Sequence, residues 1–173
     1  MKKTILSLLL FLCLGTLSAQ SLQFNLRTMP GFAYNGGSGY FNGGFVLETA
    51  YQRPISIGDL HFGAEFRAID WGNQLSLNLG YRGEYWRKDA WRLAGLTQIQ
   101  VGSALFANGS LFSWGFSYQF QARWQSEGRF YGLLGLGIRF SNAPAYKEFG
   151  SINQVWELPV QLGMGLQLGK QGE

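Results

Sequence analysis

The sequence predicts an all-β protein, a closed antiparallel up-and-down transmembrane β-barrel of eight strands. From Leu22 onward, apolar and polar residues alternate with period two, the pattern of strands that have two unlike faces. Charged residues make up only 14% of the chain, against roughly 25% in soluble domains. No segment offers the roughly 20 consecutive apolar residues that a membrane helix needs. A chain with a lipid-facing surface but no membrane helix must cross the bilayer as strands.

The first 19 residues have the pattern of a secretory signal peptide. Lys2 and Lys3 precede an apolar run over residues 5–14, and small residues lead to Ala19. We predict cleavage after Ala19, which leaves residues 20–173 as one barrel domain. The only cysteine, Cys13, lies within the signal, so the mature chain has no means of forming a disulfide.

Eight alternating runs are separated by short turn-forming segments rich in Gly, Asn, Asp and Ser. In the run 74–86, leucines at 75, 77 and 79 alternate with Gln74, Ser76 and Asn78. The runs slightly exceed the roughly 9–11 residues of a tilted transmembrane strand, and an even number of strands returns both termini to the same side. The predicted runs are 22–34, 40–52, 59–69, 74–86, 91–105, 111–125, 129–141 and 154–168. Outward loops are then expected near 35–39, 70–73, 106–110 and 142–152.

The polar register of these runs carries the charges, and the apolar register carries none. An eight-stranded barrel is just wide enough inside for side chains to fill it. Buried carboxylates and guanidiniums must pair, so the polar register predicts a bridged charge network in the lumen. A path for a small solute or a proton is the alternative. The predicted network consists of Glu48, Glu65, Arg67, Arg82, Glu84, Arg92, Arg123, Arg139 and Glu157.

Two further sets of residues suggest roles in a membrane wall. Aromatic residues near strand ends predict an interfacial girdle, namely Tyr51, Tyr85, Trp91, Trp124 and Trp156. Pro30 and Pro159 fall in the first and last runs, which must pair to close the barrel, and each removes a ladder donor. We hypothesise a weakened lateral seam there; a bulge or an early end to the first strand is the alternative.

A signal peptide followed by eight alternating strands resembles the small outer-membrane barrels, the group that includes OmpX, OmpW and the membrane domain of OmpA. The resemblance implies a Gram-negative outer membrane, periplasmic termini, and contact with membrane lipid and lipopolysaccharide. It also implies a structural or envelope role, or that of an accessory subunit in a larger outer-membrane protein complex. Binding or lateral passage of a small hydrophobic molecule or lipid is the alternative. A secreted lipocalin-like barrel, with its apolar register turned inward, is a further one.

Neither catalysis nor metal binding is predicted. The segment from Arg139 to Asn142 resembles the His-x-Ser-Asn stretch of lipid A deacylases, but Arg139 occupies the histidine position, and arginine is no general base near neutral pH. His61 is the only histidine and falls at the opposite end of the predicted barrel from Ser141. We therefore expect no catalytic residue, metal or cofactor, and a lipid A-modifying enzyme is a further alternative. No basic run exceeds Arg87-Lys88, so no nucleic-acid partner is expected either.

Overall fold

The computed structural model describes residues 20–28, 31–35, 38–42, 44–69, 72–106, 109–125, 128–142 and 154–168. The signal peptide predicted over residues 1–19, Pro30 and nearly all of the predicted loop at 142–152 lie outside the described residues. Within the ranges given, no helix is long and apolar enough to cross a membrane.

Eight antiparallel strands close into a barrel, which confirms the predicted fold class. Each strand pairs with the next along the chain, and the last pairs with the first. The strands are β1 (Ser21–Thr28 and Gly31–Asn35), β2 (Ser38–Asn42 and Gly44–Ile55), β3 (Gly58–Ile69), β4 (Gly72–Lys88), β5 (Trp91–Phe106), β6 (Gly109–Trp124), β7 (Phe130–Asn142) and β8 (Gln154–Glu157 and Val160–Gln167).

The two described parts of β1 and the two parts of β8 share one register. Thr28 faces Val160 and Gly31 faces Glu157, in one continuous antiparallel register. The pairing of β1 with β2 likewise resumes in register, with Gly31 opposite Asn42. The strand predicted over 22–34 therefore neither ends early nor contains a register shift in its described part.

The stagger of the barrel follows from its cross-strand partners. A circuit that begins at Ser21 passes once through all eight strands and returns to β1 at Gly31, ten residues further along. Such a stagger requires strands that tilt strongly against the barrel axis. The circuit runs through Ser21, Gln52, His61, Gly80, Gln98, Ser117, Arg139, Glu157 and Gly31.

The apolar register faces outward and the polar register faces inward. Leu77, Ile99 and Leu136 are among the most exposed side chains of the barrel wall, whereas Glu48 and Arg67 are fully buried. This arrangement is the reverse of the lipocalin-like alternative, which places apolar side chains inside. The interior consists mainly of Gln, Ser, Arg and Glu, with a few apolar side chains such as Leu96 and Leu133.

Candidate functional site

Six buried charged residues form one continuous chain of alternating sign inside the barrel. We call it the interior chain; in order of contact it runs Glu48, Arg27, Glu65, Arg139, Glu157 and Arg67. Arg27 Nη1 lies 3.2 Å from Glu65 Oε2, and Arg139 Nη1 lies 2.6 Å from Glu65 Oε1. Its three arginines balance its three glutamates, so the chain is neutral overall.

Glu48 is the most heavily hydrogen-bonded acceptor in this interior. Asn25 Nδ2 donates to its Oε2 at 2.6 Å, and Arg27 contacts the same oxygen. Asn78 Nδ2 and Gln98 Nε2 donate to Oε1 at 2.8 Å and 3.1 Å. His61 Nε2 lies 3.2 Å from Oε1. Side chains from β1, β3, β4 and β5 thus contact this one carboxylate.

Several of these contacts span the barrel rather than follow its wall. Arg139 belongs to β7 and Glu65 to β3, four strands apart in a closed ring of eight, so their ion pair joins diametrically opposite strands. Gln98 on β5 reaches Glu48 on β2, which is three strands away. The contacts therefore cross the lumen at the level of the interior chain.

Four of the nine predicted network residues lie apart from the interior chain. Arg82, Glu84, Arg92 and Arg123 line a cavity of about 460 Å³ at the end of the barrel that holds Ser21 and Gln167; we call this cavity the terminal mouth. The other five, Glu48, Glu65, Arg67, Arg139 and Glu157, belong to the interior chain. The sequence predicted a single network, but the structure shows two separate clusters.

Of the nine residues predicted to lie in the lumen, Glu84 departs most from that prediction. It is exposed and pairs with Arg87 at 2.7 Å, because its position near the end of β4 opens to solvent. Arg82, by contrast, is buried and pairs with Asp59 at 2.8 Å.

A β-bulge in β4 reshapes this end of the wall. Glu84 faces Ala94 and Trp86 faces Leu93, so Tyr85 is the extra residue. Tyr85 and Trp86 are consequently both exposed, and Arg87, which strict alternation would turn outward, lines the terminal mouth. The only sequence signal was the adjacent Tyr85-Trp86 pair.

The predicted network omitted four residues that the structure places in these clusters. Arg27 links Glu48 to Glu65, and His61 contacts Glu48. Asp59 and Arg87 complete pairs in the terminal mouth. Arg27, Asp59 and His61 lie in the polar register of their runs, so alternation could have identified all three. Arg87 lies in the predicted turn past the bulge, where extended alternation gives the opposite facing.

The predicted girdle residues all lie on the outer wall. Tyr51 packs against Phe62, and Trp91 faces Trp124 across the β5–β6 ladder. The Tyr85 hydroxyl lies 2.9 Å from that of Tyr118. At the other end of the barrel, Phe140 packs against Trp156 and Trp114 with tilted rings, at centroid distances of 5.1 Å and 5.8 Å.

Pro159 affects the pairing of β8 with β7, and not the predicted seam between β8 and β1. Gly137 N of β7 donates to Pro159 O at 3.0 Å. In an antiparallel ladder, such a residue pair normally exchanges two hydrogen bonds, so the donor that proline lacks also points toward β7. The missing bond therefore lies between β7 and β8 and not between β8 and β1. Pro30, the other half of the hypothesis, lies outside the described residues.

Ser141 has a cation as its hydrogen-bonding neighbour. Arg139 Nε donates to Ser141 Oγ at 3.2 Å, and the serine is buried. His61 contacts Gln52 and Glu48 instead. In the part of the chain that the structure describes, no group of three His, Cys, Asp or Glu residues could hold a metal ion.

Comparisons with known proteins show that this chain is similar to solved structures in its fold alone. No protein-family model matches this chain, and no curated protein matches it. The crystal structure of Neisserial surface protein A is similar with a TM-score of 0.57 and 11% identity, over 87% of this chain and 97% of that chain. The KdgM porin, in complex with disordered oligogalacturonate, matches at 10% identity over 84% of this chain and 98% of its own, but its TM-score of 0.25 does not establish a shared fold. By its fold, the chain is thus a closed eight-stranded barrel similar to that of Neisserial surface protein A.

Proposed function

We propose that the protein is an integral outer-membrane barrel whose lumen is closed by its own side chains. Its role is structural, in the envelope or as an accessory subunit of a larger outer-membrane complex. The observation that carries the proposal is the ion pair between Arg139 and Glu65, which joins opposite strands at 2.6 Å. A solute would have to break this pair to pass.

The charge balance of the interior supports closure. The interior chain is neutral, and the amides of Asn25, Asn78 and Gln98 use the remaining acceptor capacity of Glu48. Buried charges of opposite sign that pair with one another need no mobile ions for compensation. A conducting lumen would instead contain a continuous water column.

The outer wall supports a membrane location. Large apolar side chains cover it, and the arginines and glutamates of the middle of the barrel face inward. Aromatic residues lie toward both ends, as at membrane interfaces. Outer-membrane lipid and lipopolysaccharide are the expected neighbours, with the termini on the periplasmic side.

Conductance measurements test the closed lumen. The wild-type protein is inserted in planar bilayers after heat-modifiable gel migration and membrane fractionation have shown that it is folded and located in the outer membrane. We expect no steady channel current. Glu65→Ser combined with Arg139→Ser removes the cross-lumen pair and should produce current, whereas Glu84→Ser combined with Arg87→Ser at the exposed rim should not. Steady wild-type current would refute closure.

Mild-detergent purification distinguishes the two structural roles. An accessory subunit should leave the membrane with a stoichiometric protein partner, which persists through size-exclusion chromatography. A solitary envelope barrel should elute without one. Loss of outer-membrane integrity on deletion of the gene, without a partner, would favour the envelope role.

A groove on the outer wall favours a second candidate, the binding of a lipid acyl chain. The groove has a volume of about 580 Å³ and lies across β2 to β5. Small residues form its floor at Ala64, Gly102 and Ser103, between larger apolar side chains such as Phe66 and Leu77. Ala64→Phe should fill the groove and reduce co-purified lipid in native mass spectrometry. Equal lipid content in the variant would eliminate this candidate.

A further inference from the structure

The terminal mouth contains a row of like charges that the proposed structural role does not explain. Arg87 of β4 faces Arg92 of β5, and Arg92 faces Arg123 of β6. Like charges directly opposite one another destabilise a sheet. Three adjacent strands nevertheless present guanidiniums at neighbouring positions, and all three residues line one cavity of about 460 Å³.

Carboxylates neutralise only part of this charge. Four arginines line the cavity, including Arg82, and two carboxylates lie with them. Asp59 pairs with Arg82 at 2.8 Å, and Glu84 pairs with Arg87 at 2.7 Å. Among the described residues, no carboxylate lies within ion-pair distance of Arg92 or Arg123. The described residues that line the cavity therefore carry an excess of two positive charges.

The guanidinium of Arg123 is held in place, and some of its donors are unused. Its Cζ lies 3.3 Å from the ring centroid of Tyr131, and one Nη donates to Gln125 at 3.1 Å. Its Nε is buried without a hydrogen-bond partner, as are Nε and Nη2 of Arg82. Both arginines are more than nine-tenths buried. Buried donors without acceptors are costly, and an anion within the cavity would supply acceptors for these.

We propose that Arg82, Arg92 and Arg123 form a binding site for a phosphate group in the terminal mouth. A guanidinium fork matches the oxygens of phosphate in pairs. A phosphate monoester or inorganic phosphate, with a charge of about −1.5 to −2 near pH 7, offsets most of the excess of two positive charges, and its oxygens supply acceptors for the unused donors. The phosphate group can belong to a soluble phosphate or to a lipid headgroup at the membrane interface.

Titration of the folded protein tests the site. Inorganic phosphate is added to the protein in a glucoside detergent, which contains no phosphate, at low salt, and the arginine Nε–Hε signals are followed by NMR. Saturable shifts of the Arg82, Arg92 and Arg123 signals are expected. Arg92→Gln and Arg123→Gln should each weaken binding roughly tenfold or more. Arg129→Gln is the matched control, because Arg129 is exposed on the turn before β7 and lies outside the cavity.

A second titration identifies the source of the phosphate group, and a conservative variant controls for misfolding. Dihexanoyl phosphatidic acid replaces inorganic phosphate in a second titration; tighter binding of the lipid assigns the site to headgroups, and equal binding assigns it to soluble phosphate. Arg123→Lys keeps the charge but loses the fork, so it should fold and bind with intermediate affinity. The proposal fails if neither ligand saturates the site below about 10 mM, or if Arg129→Gln weakens binding as much as Arg92→Gln.

Discussion

Arg139 on β7 donates a 2.6 Å hydrogen bond to Glu65 on β3, the strand diametrically opposite in the ring of eight. Arg139 Nε also lies 3.8 Å from Glu157 Oε2 on the adjacent strand β8, a contact that joins neighbouring strands and does not cross the lumen. The pair of Arg139 and Glu65 therefore links the two halves of the barrel across the lumen. Its contribution to stability should be measurable apart from that of the wall hydrogen bonds.

A double-mutant cycle of Glu65→Gln and Arg139→Gln should show favourable coupling of about 0.5–3 kcal/mol. The pair is buried, so its Coulomb attraction is weakly screened. The free energy of unfolding is measured by urea titration in lipid vesicles, with tryptophan fluorescence as the signal. The control cycle of Glu84→Gln and Arg87→Gln at the rim should give about 0–1 kcal/mol. Equal coupling in the two cycles would contradict the structural role of the cross-lumen pair.

Glu48→Leu should be among the most destabilising single changes, at about 3–5 kcal/mol. It removes the acceptor of Asn25, Asn78 and Gln98 and leaves Arg27 with one carboxylate partner, Glu65. The same urea titration measures the loss. Glu84→Leu, which removes an exposed carboxylate, should cost no more than about 1 kcal/mol. If both changes cost the same, Glu48 does not organise the interior.

Alternation in the sequence predicted the facing of these residues but not their contacts. It placed Glu48, Glu65 and Arg139 on one face, which is the inner one. It could not show that Glu65 meets Arg139, because cross-lumen contacts depend on the ten-residue stagger of the closed barrel. The stagger depends on how all eight strands pair, and no single run specifies it.

The bulge in β4 and the exposed rim beside it are a second feature that the sequence pattern did not predict. Strict alternation in the run 74–86 gave the facing of Glu84 correctly but not its exposure, and it left Arg87 in a turn. The extra residue at Tyr85 shifts the register by one and turns Arg87 toward the terminal mouth. Such a shift changes the facing of every later residue of β4, so the pattern could not place Arg87 in the terminal mouth.

Gly102→Ala should destabilise the barrel by about 1–3 kcal/mol. A Cβ at Gly102 would overlap the backbone carbonyl of Leu75 and approach Ser76 Cβ to 2.6 Å on the neighbouring β4, where the backbone cannot yield cheaply. Gly132→Ala is the matched control, because nothing lies within 4 Å of a Cβ there. That change should be neutral or slightly stabilising. A comparable loss in both variants would mean that the β4–β5 contact is looser than described.

Leu77→Arg tests whether the outer wall meets lipid. Leu77 is exposed near the middle of β4, so an arginine there should cost about 2–4 kcal/mol in a bilayer. Ile57→Arg, in the exposed β2–β3 turn, should cost about 0–1 kcal/mol. Unfolding in vesicles provides both values. A negligible cost at Leu77 would indicate that water, and not lipid, covers the wall.

Pro159→Ala should complete the ladder between β7 and β8. The new N–H can donate to Gly137 O and make the pair two-sided, since Gly137 N already donates to the oxygen of residue 159. The gain, about 0.5–1.5 kcal/mol for one hydrogen bond, is partly offset by the greater freedom of alanine in the unfolded chain. Hydrogen exchange by NMR should show a protected amide at 159 and slower exchange at Gly137, while the Thr28 and Val160 amides of the β1–β8 ladder stay unchanged. Altered exchange at Thr28 or Val160, with none at Gly137, would instead return the effect of this proline to the seam between the first and last strands.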